Sequence, residues 1–141
     1  MTKHETVQDI MTPDPISLPG TALIVDAARK MREAGIGDVV ILDGEAVCGI
    51  VTDRDIVVRG VAEERDPRST TLAEICSREL RTLSPDDQIG TAVRLMREHA
   101  IRRLPVVERG RPVGILSLGD LARERDPDSA LADVSEAPPN R

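Results

Sequence analysis

Two stretches constrain this chain more than any others: Gly49-Ile50-Val51-Thr52-Asp53-Arg54-Asp55-Ile56 and Gly114-Ile115-Leu116-Ser117-Leu118-Gly119-Asp120-Leu121. Each predicts a short β-branched strand that ends in Thr or Ser and turns at once into a helix. An Asp follows each hydroxyl by three residues. The copies lie 65 residues apart in a chain of 141. A module repeated at a fixed interval is read as a duplication before anything else.

The same offset recurs along the chain. Thr6-Val7-Gln8-Asp9-Ile10-Met11 and Thr71-Leu72-Ala73-Glu74-Ile75-Cys76 each open a short helix with a Thr cap and an acid three residues on. Pro13 and Pro15 end the first of these helices. Ile16-Ser17-Leu18 and Arg81-Thr82-Leu83 predict short strands, followed by turns at Pro19-Gly20 and Ser84-Pro85. Thr21 and Asp86 are the expected N-cap or near-cap residues of two amphipathic helices. Leu23, Ala27 and Met31 carry the apolar stripe of the first, and Ile89, Ala92, Val93 and Met96 that of the second. Gly35 stops the first helix. Strands follow over 38–42 and 103–107, then hairpin turns at Asp43-Gly44 and Arg109-Gly110, then strands over 47–51 and 113–116. The closing helices run over 53–59 and 118–125. One copy is too small to bury its sheet alone, and pairing two copies solves that problem. The expected organisation is repeat 1 over 5–61, a charged linker over 62–70, repeat 2 over 71–125 and a disordered Pro-containing tail over 126–141. Residues 1–5 are expected to fray.

Composition narrows the function classes. A net charge of −6 and the absence of Phe, Tyr and Trp argue against nucleic-acid binding, which uses basic faces and stacking platforms. Any bound base must then be gripped by aliphatic side chains and backbone. No apolar run is long enough to span a bilayer, and the polar N-terminus lacks a signal-peptide core, so no membrane partner and a cytoplasmic location are expected. Cys48 lies in an apolar strand run, where a buried small hydrophobe is expected. Whether it pairs with Cys76 is left open. His4 and His99 are isolated, and no metal site is expected.

The ordered set of Val7-Gln8-Asp9-Ile10-Met11, Ile101-Arg102-Arg103-Leu104-Pro105-Val106-Val107, Gly49 through Ile56 and Gly114 through Leu121 resembles a tandem pair of cystathionine-β-synthase (CBS) domains, a Bateman module. The resemblance covers roughly 5–125. Thr52-Asp53-Arg54-Asp55-Ile56-Val57-Val58-Arg59-Gly60 further resembles the small stand-alone members of the hypoxic-response-protein type. This resemblance implies an α/β (α+β) fold of two βαββα repeats paired by a pseudo-two-fold axis. It implies clefts between the repeats that take adenosine-containing ligands such as AMP, ADP, ATP or S-adenosylmethionine, and it implies homodimers.

Thr52 with Asp55, and Ser117 with Asp120, are the leading candidate ligand contacts. An ionised carboxylate accepts both ribose hydroxyls, and a helix N-terminus favours a phosphate. The same spacing is also that of a helix capping motif. Arg102 and Arg103 match the basic pair that meets phosphates in the family, a task suited to a guanidinium fork. Repeat 1 carries Gly37-Asp38 at those places, and an Asp there repels phosphate. The resemblance also implicates Ser17 and Thr82, the small hydroxyl residues of the first strands. Ile36, Ile101 and Pro105 are candidate walls that core packing explains equally well.

No nucleophile–base grouping, metal cluster or phosphate loop is present, so no enzyme activity and no required cofactor are expected. The expected function is a regulatory module that binds an adenosyl nucleotide mainly through repeat 2 and acts on an unidentified effector protein. The alternative is a ligand-independent homodimeric interaction module. Replacing Asp120 with Ala is expected to abolish ribose recognition and leave the fold largely intact.

Overall fold

A computed structural model describes residues 6–77 and 80–125. The tails expected at 1–5 and 126–141 lie outside the described residues. The elements run α1 (Val7–Ile10), β1 (Thr12–Pro13), β2 (Ser17–Pro19), α2 (Ile24–Ala34), β3 (Asp38–Asp43), β4 (Ala46–Thr52), α3 (Asp53–Asp55), α4 (Leu72–Ile75), α5 (Ile89–His99), β5 (Arg103–Glu108), β6 (Arg111–Ser117) and α6 (Leu118–Arg125). A π-helical stretch, Ile56–Val61, continues α3. The fold is mixed α/β with two βαββα-type repeats.

Two compact units form, and each contains a segment contributed by the other sequence repeat. One joins residues 6–15 to 81–125. The other comprises residues 16–77 with residue 80. In the first unit β1 pairs antiparallel with β6, which pairs antiparallel with β5. In the second, β2 runs parallel to β3, which pairs antiparallel with β4.

Orphan donors at helix starts explain where the short helices dock. The Val7 and Gln8 N–H groups of α1 donate to the Asp87 and Pro85 carbonyls, at 2.8 and 3.0 Å. At the same offset of 65, Leu72 and Ala73 of α4 donate to the Ala22 and Gly20 carbonyls, at 2.8 and 3.0 Å. Apolar burial completes the anchoring. Val7 is fully buried in the core of the first unit with Leu104 and Leu116. Leu72 and Ile75 are buried in the core of the second with Ile24, Ile41 and Val51. Burying one such side chain contributes about 1.5–3 kcal/mol.

The sheet glycines permit this docking. A Cβ on Gly114 would lie 3.0 Å from the Thr12 carbonyl oxygen and collide with the Met11 thioether. A Cβ on Gly49 would meet the Cys76 Sγ at 3.2 Å. Met11 and Cys76 are themselves 65 residues apart, each just past its short helix.

Several expectations are corrected. Thr21 and Asp86 are near-cap residues and not the caps, which fall two residues on at Leu23 for α2 and Gln88 for α5. In α2 the reason is visible: the linker supplies the acceptors. The Thr70 and Pro67 carbonyls take the Ile24 and Val25 N–H groups at 3.0 Å, and Asp26 takes the Leu23 N–H at 2.9 Å. The strand expected over 81–83 shrinks to one bridge, Leu83 with Val106. Val40 donates to the Ile16 carbonyl at 2.9 Å, but its counterpart Pro105 has no N–H to give. The first hairpin turn is Gly44-Glu45, one residue later than expected, with Gly44 at φ 62°. Cys48 is exposed. It is the extra residue of a β-bulge, because Ile41 faces Gly49 while Leu42 faces Val47.

Candidate functional site

The register gathers the candidate residues of each repeat at one end of its sheet. In the second unit β2 opens at Ser17, opposite Val40, and Asp38 at the start of β3 faces Thr52 at the end of β4. The Asp53 N–H donates to the Gly37 carbonyl at 3.0 Å and fixes the turn into α3. Asp55 then folds back. Its Oδ2 accepts the Thr52 N–H at 2.8 Å and the Thr52 hydroxyl at 3.1 Å, while its own N–H donates to Thr52 Oγ1 at 3.2 Å. Its Oδ1 lies 3.9 Å from the Arg59 guanidinium, which also donates to the Ile75 carbonyl at 3.3 Å.

In the first unit the counterparts are Arg103 facing Ser117, with the Leu118 N–H bonded to the Arg102 carbonyl at 2.9 Å. Arg102 is exposed and Arg103 half-buried, so this sheet end carries positive charge where the other carries Asp38. Thr82 is exposed one residue before the Leu83 bridge. Pro105 is buried opposite Ile115. Ile36 and Ile101 pack against their respective cores, and their N–H groups cap the Met31 and Met96 carbonyls at 3.0 and 3.1 Å.

Asp120 is more enclosed than Asp55. Its side chain is 3% exposed against 19%. Oδ2 accepts the Ser117 N–H at 2.9 Å, and the Asp120 N–H donates to Ser117 Oγ at 3.0 Å. Oδ1 accepts from the Thr12 hydroxyl at 3.2 Å and from the Arg123 guanidinium. Both Ser/Thr-x-x-Asp motifs therefore cap their helices, and the two carboxylates differ in what else they hold. Removing the Asp120 carboxylate would leave the Ser117 N–H, the Thr12 hydroxyl and the Arg123 guanidinium without this acceptor, so Asp120→Ala carries a stability cost as well as any loss of ribose recognition.

Sequence reasoning did not single out Thr12, Arg59 or Arg123 at these acids. Arg59 and Arg123 stand four and three residues past their Asp, a helical spacing that signals an ion pair. Thr12 is 108 residues from Asp120 and leaves no local signal. Among the described residues, no group of three or more His, Cys, Asp or Glu is placed to hold a metal ion.

The CBS domain family model matches residues 7–61 and 72–126. The chain belongs to the CBS-domain family. Its CBS pair is 35% identical over 134 residues to the CBS domain-containing protein YhcV of Bacillus subtilis, covering 92% of this chain and 95% of that protein. It is 33% identical to Hypoxic response protein 1 of Mycobacterium tuberculosis, covering 94% and 92%. A crystal structure of Hypoxic Response Protein I with two coordinated zinc ions superposes with a TM-score of 0.77 at 34% identity, covering 88% and 99% of the two chains. The CBS domain pair of MJ0100, solved with 5′-methylthioadenosine and S-adenosyl-L-methionine, gives 0.80 at 26% identity, covering 90% and 100%. No helix among the described residues is long and apolar enough to cross a membrane.

Proposed function

We propose that this CBS pair is a non-catalytic regulatory module that binds an adenosine-containing nucleotide, mainly through repeat 2. The observation that carries the reading is the asymmetry of the two sheet ends. Arg102 and Arg103 stand beside Ser117 and Asp120, whereas Asp38 stands beside Thr52 and Asp55. A phosphate is attracted to the first constellation and repelled by the second. The adenosyl compounds in the MJ0100 structure support the ligand class. The zinc ions of the Hypoxic Response Protein I structure form no part of the reading.

Titration calorimetry with AMP, ATP and S-adenosylmethionine tests it. Arg102→Gln is expected to weaken AMP and ATP about tenfold or more and to leave S-adenosylmethionine within about twofold, since only the phosphates lose a charge-assisted contact. Equal weakening of all three would detach Arg102 from phosphate recognition.

A second reading, a homodimeric docking module that needs no ligand, is favoured by one feature. Val57, Val58 and Val61 of the π-helical stretch are 58%, 45% and 66% exposed, an apolar strip suited to a second copy. It gains ground if no adenosyl compound binds and Val58→Asp converts a sedimenting dimer to monomer.

A further inference from the structure

We propose that Asp120 is shared between the N-terminal segment and the nucleotide, so that binding displaces the Thr12 hydroxyl and frees the β1 edge from the sheet. The inference rests on the reading of Asp120 as a ribose contact and adds how that contact is regulated. A carboxylate offers about four lone-pair positions. Among the described residues, three are in use at Asp120, by the Ser117 N–H, the Thr12 hydroxyl and the Arg123 guanidinium. A ribose diol needs two acceptors, so one donor must leave. The Ser117 N–H belongs to the helix cap, and the Arg123 contact is charge-assisted. The Thr12 bond is a neutral hydroxyl at 3.2 Å, the weakest of the three.

Its loss has a defined reach. Thr12 and Pro13 form the whole of β1, paired with Ile115 and Gly114. Val7 remains buried and α1 keeps its two backbone bonds to Asp87 and Pro85, so α1 stays docked while Thr12 and Pro13 loosen. Among the described residues, no hydroxyl from a distant segment reaches Asp55, and its second oxygen faces Arg59 at 3.9 Å. The device belongs to repeat 2.

Thr12→Val keeps the side-chain shape and removes the competing donor. By calorimetry with AMP, ADP, ATP and S-adenosylmethionine, Thr12→Val is expected to bind about tenfold tighter than wild type. Thr12→Ser, which restores the hydroxyl, is expected to match wild type within about twofold. In wild type, the ligand should speed hydrogen exchange at Thr12, which pairs with Ile115, and leave Val7 and Met11, whose N–H donates to the Val7 carbonyl inside α1, protected. Unchanged or weaker binding by Thr12→Val, or unchanged exchange at Thr12 under saturating ligand, would overturn the shared-carboxylate proposal and leave nucleotide binding standing. Binding of none of the four compounds by wild type would overturn both.

Discussion

At the scale of single residues, Ala100 and Gly35 do the same job at different cost. Ala100 ends α5 at φ 52°, ψ 42°, and Gly35 ends α2 at φ 65°, ψ 39°. The left-handed conformation costs a residue with a Cβ about 1–2 kcal/mol. Ala100→Gly is therefore expected to raise stability by about 1 kcal/mol and Gly35→Ala to lower it by a similar amount, read from urea midpoints. Gly35 announces its helix end in sequence and Ala100 does not. Cys48 shows another limit of pattern reading. The run Val47-Cys48-Gly49-Ile50-Val51 looks uniformly strand-like, and only the bulge reveals which residue faces water. Partial burial of the thiol, then Cys76 and Asp43 nearby, push its pKa above the ordinary value. Less thiolate is present at pH 7, so iodoacetamide should alkylate Cys48 more slowly than a free model thiol, and the rate should climb as pH passes through the raised value. A rate at pH 7 above the model thiol's would contradict this.

At the scale of elements, the sheet glycines connect sequence to topology. Gly114→Ala forces its new methyl into Met11 and the Thr12 carbonyl, so it is expected to detach β1 and raise hydrogen exchange at Thr12. Unchanged protection there would show that the segment adapts without leaving. Leu72→Ala tests the other short helix, where loss of a fully buried side chain should cost about 2–5 kcal/mol. The helix periodicity, the paired β-strands and the hydroxyl-to-acid turns were legible because each depends on residues close in sequence. The docking of α1 and α4 was not, because it depends on backbone carbonyls of Pro85, Asp87, Gly20 and Ala22, which no side-chain pattern marks. Pro105 was legible in principle, since its missing N–H already forbids the bond that Val40 makes. The π-helical register of Ile56–Val61 had no sequence signal, although buried Gly60, packed 3.4 Å from Ile24 Cδ1 at its Cβ position, fits a close approach to α2.

For the whole molecule, one duplication accounts for most of the fold. Most helices, strands, hairpin bulges and docking bonds recur at 65 residues, and among the departures from that symmetry several fall at the candidate site: Asp38 against Arg103, Gly37 against Arg102, Arg59 against Thr12 and Arg123. The charge difference could be read from sequence. The sharing of Asp120 could not, because a hydroxyl 108 residues away completes it. The most direct test of the central claim, that repeat 2 binds an adenosyl nucleotide, is a calorimetric melt of ligand-free protein with AMP, ADP, ATP and S-adenosylmethionine. A ligand at 100 times its dissociation constant should add about 2.7 kcal/mol, a rise of several degrees in Tm, and Asp120→Asn should lose that rise. An unchanged Tm with all four compounds, or a rise that survives undiminished in Asp120→Asn, would contradict it.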